Sequence, residues 1–259
     1  KLFKRKIVYH FHNKGVYTRQ NKLFDNLLYK FVFKNTQVIL LSKYLYTDVQ
    51  KYIPENLVHY CSNGILDKQR GQKEKKRKPE ILFLSNLFKT KGILILLEAC
   101  KILVNKGLDF HCTVVGRWGD ITEQQFHSKL KEESLFTYVS HLTEENDIVK
   151  DKIMSKSDIF VHPTYNDCFP LVLLEAMRNF LPIISTLEGG IPDIVEDGKT
   201  GFLVPQKNPR LLAEKIETLI KNPELRYKMS LAGRAKYEKE FTIDKFEGRL
   251  VGILTKIIT

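Results

Sequence analysis

Asp167 and Glu175 stand eight positions apart, the first in Asn166-Asp167-Cys168-Phe169-Pro170, the second in the apolar run Leu171-Val172-Leu173-Leu174-Glu175-Ala176-Met177. A proline ahead of such a run suits the first turn of a helix, so one carboxylate belongs to a loop and the other to the helix. Backbone N–H groups of Phe169 and Leu171 onward then point out of the helix start, where an anion would be held. Along that helix Glu175 has apolar neighbours on nearly every side, and a carboxylate there is costly unless something bonds it. Two partners fit. One is Arg178 in an i,i+3 pair worth ~0.2–0.5 kcal/mol; the other is the diol of a ligand lying over the helix start.

Lys91 poses a similar choice. With Gly92 it opens a helical pattern, and a cation at a helix start opposes the dipole unless an anion is bound beside it. Read alone, it is an exposed helix-start lysine. Gly189-Gly190 is either a turn or a place where backbone approaches a ligand closely, since glycine has no Cβ to block it. His10 and His12, two apart in Val8-Tyr9-His10-Phe11-His12, share one face of a strand. No third ligand at suggestive spacing accompanies them, so no metal site is expected there; alone, His12 reads as a structural strand-end residue.

The elements that must position these groups alternate. Apolar runs at 81–84, 110–115, 139–142, 158–161, 182–185 and 201–204 read as strands, and helical spacing marks 92–105, 122–133, 148–155 and 171–178. Asn208-Pro209 caps a further helix, and two more follow at about 223–239 and 243–258. Such alternation means β-α-β units and a parallel, doubly wound α/β sheet over about 80–240. Ahead of it, 7–11, 37–41 and 57–60 read as strands with a helix at 22–33 between the first two, which looks like the tail of another α/β domain. A polar, basic stretch at 68–79 reads as the linker. The expected units are therefore 1–78, 79–240 and a C-terminal helix, 241–259, that crosses back to the first.

The chain has 259 residues, 43% hydrophobic and 28% charged, with only 14 glycines and 9 prolines, which excludes collagen-like and largely disordered chains. No run of 18 apolar residues is present, so nothing reads as spanning a bilayer, and the basic N-terminus has no secretory pattern. The four cysteines form no CxxC pair, which fits a reduced, cytoplasmic chain without structural zinc. The formal net charge of +12 favours a polyanionic partner. Its clusters at 1–6 and 73–78 each read alone as solvated runs. No GxGxxG, Walker or RNP-like string occurs.

The Asp167–Glu175 spacing resembles the E-x7-E motif of retaining glycosyltransferase family 4, with Asp in place of the first Glu. Leu84-Ser85-Asn86-Leu87 with Lys91-Gly92 is similar to that family's first donor-domain strand and phosphate-binding lysine. Asp158-Ile159-Phe160-Val161-His162-Pro163-Thr164 is similar to its strand leading into the motif. Gly189-Gly190-Ile191-Pro192-Asp193 through Thr200-Gly201-Phe202-Leu203-Val204 is similar to its Gly-Gly-Ile-Pro-Glu and Thr-Gly-Phe-Leu-Val segments. Val8-Tyr9-His10-Phe11-His12 and Ser62-Asn63-Gly64-Ile65 resemble its acceptor-domain strand and interdomain turn.

The resemblance implies a GT-B fold of two Rossmann-like domains, the first N-terminally truncated here, with a nucleotide-diphosphate sugar held by the second. It implies that Glu175 holds the ribose, Lys91 the diphosphate, and Asp167 and His12 the transferred sugar. Cys168, Phe169, Pro170 and Leu171 supply backbone to phosphate and sugar. Asn86 stands where many members have an arginine, so one leaving-group contact is missing or supplied from elsewhere. The activity implied is metal-independent, retaining hexosyl transfer to a glycan or lipid-linked acceptor in cell-surface polysaccharide synthesis. The basic balance adds an expectation of peripheral attachment to an anionic membrane face. The alternatives are a catalytically silent nucleotide-binding module and a nucleic-acid-binding protein, the latter not favoured.

Overall fold

The computed structural model describes residues 6–68, 78–143 and 147–258. Five of the six residues of the 1–6 basic cluster, and five of the six of the 73–78 cluster, lie outside them.

The first unit is a three-stranded parallel sheet of β1 (Val8–Phe11), β2 (Gln37–Leu40) and β3 (Val58–Tyr60) in the order β1-β2-β3. Between β1 and β2 run the short helix α1 (Val16–Arg19) and helix α2 (Leu23–Phe33). The second unit is a six-stranded parallel sheet of β4 (Glu80–Leu84), β5 (His111–Val115), β6 (Val139–Leu142), β7 (Ile159–His162), β8 (Ile183–Thr186) and β9 (Gly201–Val204). Its order is β6-β5-β4-β7-β8-β9. Connecting helices are α3 (Ile93–Asn105), α4 (Glu123–Glu132), α5 (Asp147–Lys156), α6 (Leu171–Arg178) and α7 (Ile191–Ile194). Helices α8 (Pro209–Lys221), α9 (Pro223–Glu240) and α10 (Ile243–Ile258) follow.

Alternation along the central strands separates two cores. Ile81 and Phe83 of β4, and Ile159 and Val161 of β7, face Leu96, Leu97, Phe126 and Ile216 of α3, α4 and α8. Leu82 and Phe160 face the other way, to Leu173, Leu174 and Met177 of α6 and Tyr237 of α9. A sheet apolar on both faces needs helices on both, as parallel sheets do.

The second core continues into the first unit, where Val38, Leu40, Leu45, Val49 and Ile53 join it. Further ties run through α10 and the residue ahead of it. The backbone pairs at Ile65 and Thr242, Arg249 donates to the Ser62 carbonyl at 3.0 Å, and Lys6 Nζ donates to the Ile257 carbonyl at 2.8 Å. Lys6, read as part of a solvated tail, thus satisfies a last-turn carbonyl of α10.

The observed elements differ from the expected ones mostly by a residue or two at their ends. The short helices α1 and α7 have no sequence signal, because four residues do not establish a helical period. Helix α1 exists because Asp48, 33 positions beyond Gly15, accepts the N–H groups of Gly15, Val16 and Tyr17 at 3.0–3.1 Å. That is a cap supplied by tertiary structure rather than by the neighbouring sequence.

Candidate active site

In an open parallel sheet, the loops that leave adjacent strands in opposite directions part at the carboxyl ends and form a crevice. Here that point lies between β4 and β7. The loop after β4 carries Asn86 and Lys91; the loop after β7 carries Asp167 to Pro170. The two are stitched together by Tyr165 N–H to the Thr90 carbonyl at 2.9 Å and by Thr164 Oγ1 to the same carbonyl at 3.1 Å.

At the centre of this junction Lys91 Nζ lies 2.6 Å from Asp167 Oδ2. The same oxygen lies 3.2 Å from Nε2 of His162, whose ring is 1% exposed. Burial alone would raise the Asp167 pKa, but the bonds from His162 and Lys91 outweigh it, so the carboxyl titrates below its ordinary range. Because its folded pKa is depressed, the stability Asp167 contributes is complete above the unfolded pKa of about 3.9. It is lost as pH falls through the folded value. Melting temperature measured from pH 6 down to pH 2 should therefore fall more steeply for the native chain than for Asp167→Asn; parallel curves would count against an ionised, bonded Asp167.

Helix α6 starts at Leu171 with Pro170 as its extended N-cap residue, one position ahead of the expected first turn. Cys168 and Phe169 are buried. The Phe169 ring meets Phe241 edge-on at 6.2 Å, and the Cys168 carbonyl accepts from Gly190 N–H at 2.7 Å. Burial, then the nearby Asp167 charge, pushes the Cys168 thiol up to about 11, so it is a neutral packing group. What 168–171 offers the crevice is backbone. Leu171 itself is 44% exposed.

Glu175, in the second turn of α6, accepts from Lys150 of α5 at 3.0 Å. The local partner Arg178 is taken elsewhere, donating to Asp151 at 2.5 Å and to the Leu66 carbonyl at 3.0 Å. The i,i+3 pair is therefore corrected. Arg178 is 5% exposed, and a guanidinium so buried goes to the carboxylate and carbonyl packed against it. The Glu175 side chain is 19% exposed, so it is partly open to solvent rather than walled in by apolar groups.

The third side of the crevice is the loop of Gly189-Gly190, and it brings in two residues that the sequence reading did not single out, Glu188 and Lys14. Glu188 follows β8, and Gly189 then adopts φ 51°, where a Cβ would lie 2.6 Å from the Cys168 carbonyl oxygen. That geometry lets the 188–190 loop lie directly on the 167–168 backbone. Glu188 accepts from Asp167 N–H at 3.1 Å, from Gln206 Nε2 at 2.6 Å, and from Lys14 of the first unit. Burial lowers the Lys14 pKa, against the pull of surrounding acids. Lys14, Gly15, Asp48, Asn166, Glu188 and Gly189 line a cleft of about 490 Å³ between the two units.

Asn86 is exposed on the β4 loop, its carbonyl accepting from Phe88 N–H at 2.8 Å. His12 is exposed at the end of β1, its ring 4.2 Å from that of His10, which in turn stacks on Phe246 at 6.4 Å. The structure thus brings Lys91, His162 and Asp167 into direct contact and sets Glu188 and Lys14 against the same loop. Glu175 sits in the second turn of α6, eight positions on from the loop residue Asp167, and His12 on the facing unit. Among the described residues no group of three or more His, Cys, Asp or Glu is arranged to hold a metal ion.

The model of the glycosyl transferases group 1 family matches residues 66–236, more than half of the chain. The chain is 29% identical over 183 residues to the amylovoran biosynthesis glycosyltransferase AmsK of Erwinia amylovora, covering 68% of this chain and 44% of AmsK. It is 32% identical over 167 residues to the capsular polysaccharide biosynthesis glycosyltransferase CapM of Staphylococcus aureus, covering 62% of this chain and 41% of CapM. The chain thus spans less than half the length of either curated relative. Among solved structures, HepE of Anabaena in complex with UDP superposes with a TM-score of 0.85 at 20% identity, over 98% of this chain and 73% of HepE. A likeness at that identity speaks for the architecture, and the two facing parallel-sheet units match it. The chain belongs to the group 1 glycosyl transferases and has the GT-B fold.

Proposed function

We propose that the chain works in retaining transfer of a hexose-type sugar from a nucleoside diphosphate sugar to a glycan or lipid-linked acceptor, in cell-surface polysaccharide synthesis. The observation that carries this reading is the Lys91–Asp167 contact at the switch point of the second sheet, 2.6 Å long and beside the start of α6. An ammonium and an array of N–H groups facing one crevice suit a diphosphate, whose negative charge grows as the sugar–phosphate bond breaks. With a nucleotide present, Lys91 would turn from Asp167 to the diphosphate, freeing the carboxylate for a hydroxyl of the transferred sugar. Glu175, now held by Lys150, would exchange that partner for the ribose diol. Relatives in capsule and amylovoran biosynthesis, and the UDP in HepE, support the substrate class and favour uridine.

In front-face transfer, the bond from sugar C1 to the phosphate oxygen breaks while C1 bonds the acceptor oxygen on the same face. The acceptor's proton passes to the departing diphosphate. Lys91 and the helix start supply the positive charge this requires, so the proposed mechanism calls on no metal. His12, across the cleft, would meet the sugar from the acceptor side. Neither assignment depends on Asn86, whose neutral amide can donate a hydrogen bond to the donor but brings no charge to the leaving group.

The test is a thermal-shift panel of UDP, GDP and ADP, followed by sugar release from the matching nucleotide sugar. One diphosphate should stabilise the chain, and Glu175→Gln should weaken its binding about 10- to 100-fold, the worth of one hydrogen bond to a charged group. Binding without sugar release would leave a silent module. No nucleotide binding, with salt-steep binding to DNA or RNA instead, would overturn the reading.

A further inference from the structure

Lys14 follows His12 in the loop after β1, and its main chain is anchored. Its N–H donates to Asn13 Oδ1 at 3.0 Å, and Asp48 holds the N–H groups of Gly15, Val16 and Tyr17. The side chain crosses the cleft to Glu188 of the second unit. Glu188 Oε1, which receives Lys14, also accepts the Asp167 N–H at 3.1 Å, while Oε2 accepts from Gln206 at 2.6 Å. Asp167 is therefore flanked by ammonium groups from both units. Lys91 lies on its carboxylate, and Lys14 lies, through Glu188, against its backbone.

The two partners of this ion pair are unequally placed. With Lys14 withdrawn, the Glu188 carboxylate keeps its bonds from Asp167 and Gln206, so it stays satisfied. Lys14 has no such second partner. Its side chain is 30% exposed, and removal from water lowers its pKa despite the pull of surrounding acids. The Lys91 charge acts on it in the same direction. An ammonium partly out of water and near a second ammonium is stabilised by an added anion.

We propose that Lys14 is a second cation on the leaving group, turning from Glu188 to the sugar-bearing phosphate and meeting it from the first unit while Lys91 meets the diphosphate from the second. This role presupposes the nucleotide sugar proposed for the crevice. A sugar that meets the Asp167 carboxylate brings its phosphate close to the same residue, and one carboxylate oxygen of Glu188 links Lys14 to the Asp167 N–H. That phosphate gains negative charge as its bond to sugar C1 breaks. A cation already standing in the crevice stabilises the new charge without reorganising water. Lys14 gives up no proton, since the acceptor's proton passes to the departing diphosphate. Contact from both units also makes transfer depend on the two being held over one donor. The competing role is a fastening, in which Lys14 and Glu188 join the units and touch no ligand.

The test compares Lys14→Met, Lys14→Arg and Glu188→Gln with the native chain. Calorimetry reads the binding of UDP and UMP, or of the corresponding pair for whichever base the thermal-shift panel selects, and sugar release reads turnover. Lys14→Met should lower kcat about 10²-fold, the effect of one lost donor to developing charge. It should also weaken UDP about tenfold more than UMP, which lacks the terminal phosphate. Lys14→Arg should recover part of both losses. Glu188→Gln keeps an oxygen for the Asp167 N–H but releases Lys14, so it should tighten UDP about threefold. A fastening would instead make Lys14→Met and Glu188→Gln weaken UDP and UMP alike, and that pattern would overturn the proposal. So would a kcat for Lys14→Met within about threefold of a native chain that binds UDP and releases sugar. The comparison of UDP with UMP needs no turnover, so it decides the contact even in a chain that binds without transferring. A native chain that binds no diphosphate would overturn the nucleotide reading, and this role with it.

Discussion

Replacing Lys91 by alanine is expected to lower the turnover of sugar transfer by about 10²–10³, the range found when one preorganised donor to developing negative charge is removed. The argument is geometric. Lys91 enters from the short turn Lys89–Lys91 and is fixed by the following Gly92 and α3, so its ammonium already stands in the crevice before a ligand arrives. It needs only to exchange one anionic oxygen, that of Asp167, for another, that of the diphosphate. The side chain is 25% exposed, so the new bond forms partly out of water and is worth more than a surface ion pair. The effect should fall chiefly on kcat, because the charge on the diphosphate is greatest in the transition state. Lys91→Arg, which keeps the charge but changes its shape, should recover part of the loss. Asp167 keeps its bond from His162 in either variant, so the fold should survive. A kcat within threefold of the native value for Lys91→Ala would remove Lys91 from the chemistry.

The parts of this arrangement legible in the sequence were those set by local pattern. Alternating apolar runs gave the parallel sheet, and the run after Pro170 gave α6, because burial on both faces and helical spacing leave periodic traces. The pairing of Lys91 with Asp167 was only half visible. Each residue stood out singly, but 76 positions separate them and only the strand order β4-β7 makes them neighbours. Glu175 was singled out as a carboxylate in need of a partner, but the partner it has, Lys150, lies 25 positions away on another helix, where local spacing cannot reach. Glu188 had one faint mark, a charged residue between a buried strand and a pair of glycines. Lys14 and His162 had none: a lysine in a polar loop and a histidine at a strand end are common, and only the closing of two units over one cleft gives them work.

Substitution of Gly92 by valine should be the most damaging single change in the crevice, with a loss of stability of about 2–5 kcal/mol, the sum of two effects. Gly92 ends the Lys89–Lys91 turn and begins α3 at φ 82°, ψ 17°, in the left-handed region. An L-residue there costs ~1–2 kcal/mol, more for a β-branched one. A Cβ would also lie 2.6 Å from the Pro163 carbonyl carbon and 3.0 Å from the Pro163 ring. Forcing an atom into such a contact adds ~1–3 kcal/mol. The two contributions are separable, because Gly107 has a comparable φ of 71°, yet a Cβ at that position would meet no atom within 4 Å. Gly107→Val should thus show the backbone cost alone, and Gly92→Val that cost plus the collision, lowering the melting temperature by a further ~2–12 °C. The same collision would push the β4 loop from the β7 loop and part Lys91 from Asp167, so nucleotide binding should weaken in Gly92→Val and stay unchanged in Gly107→Val. Equal melting temperatures and equal nucleotide affinity for the two variants would mean that close approach at Pro163 does not hold the crevice together.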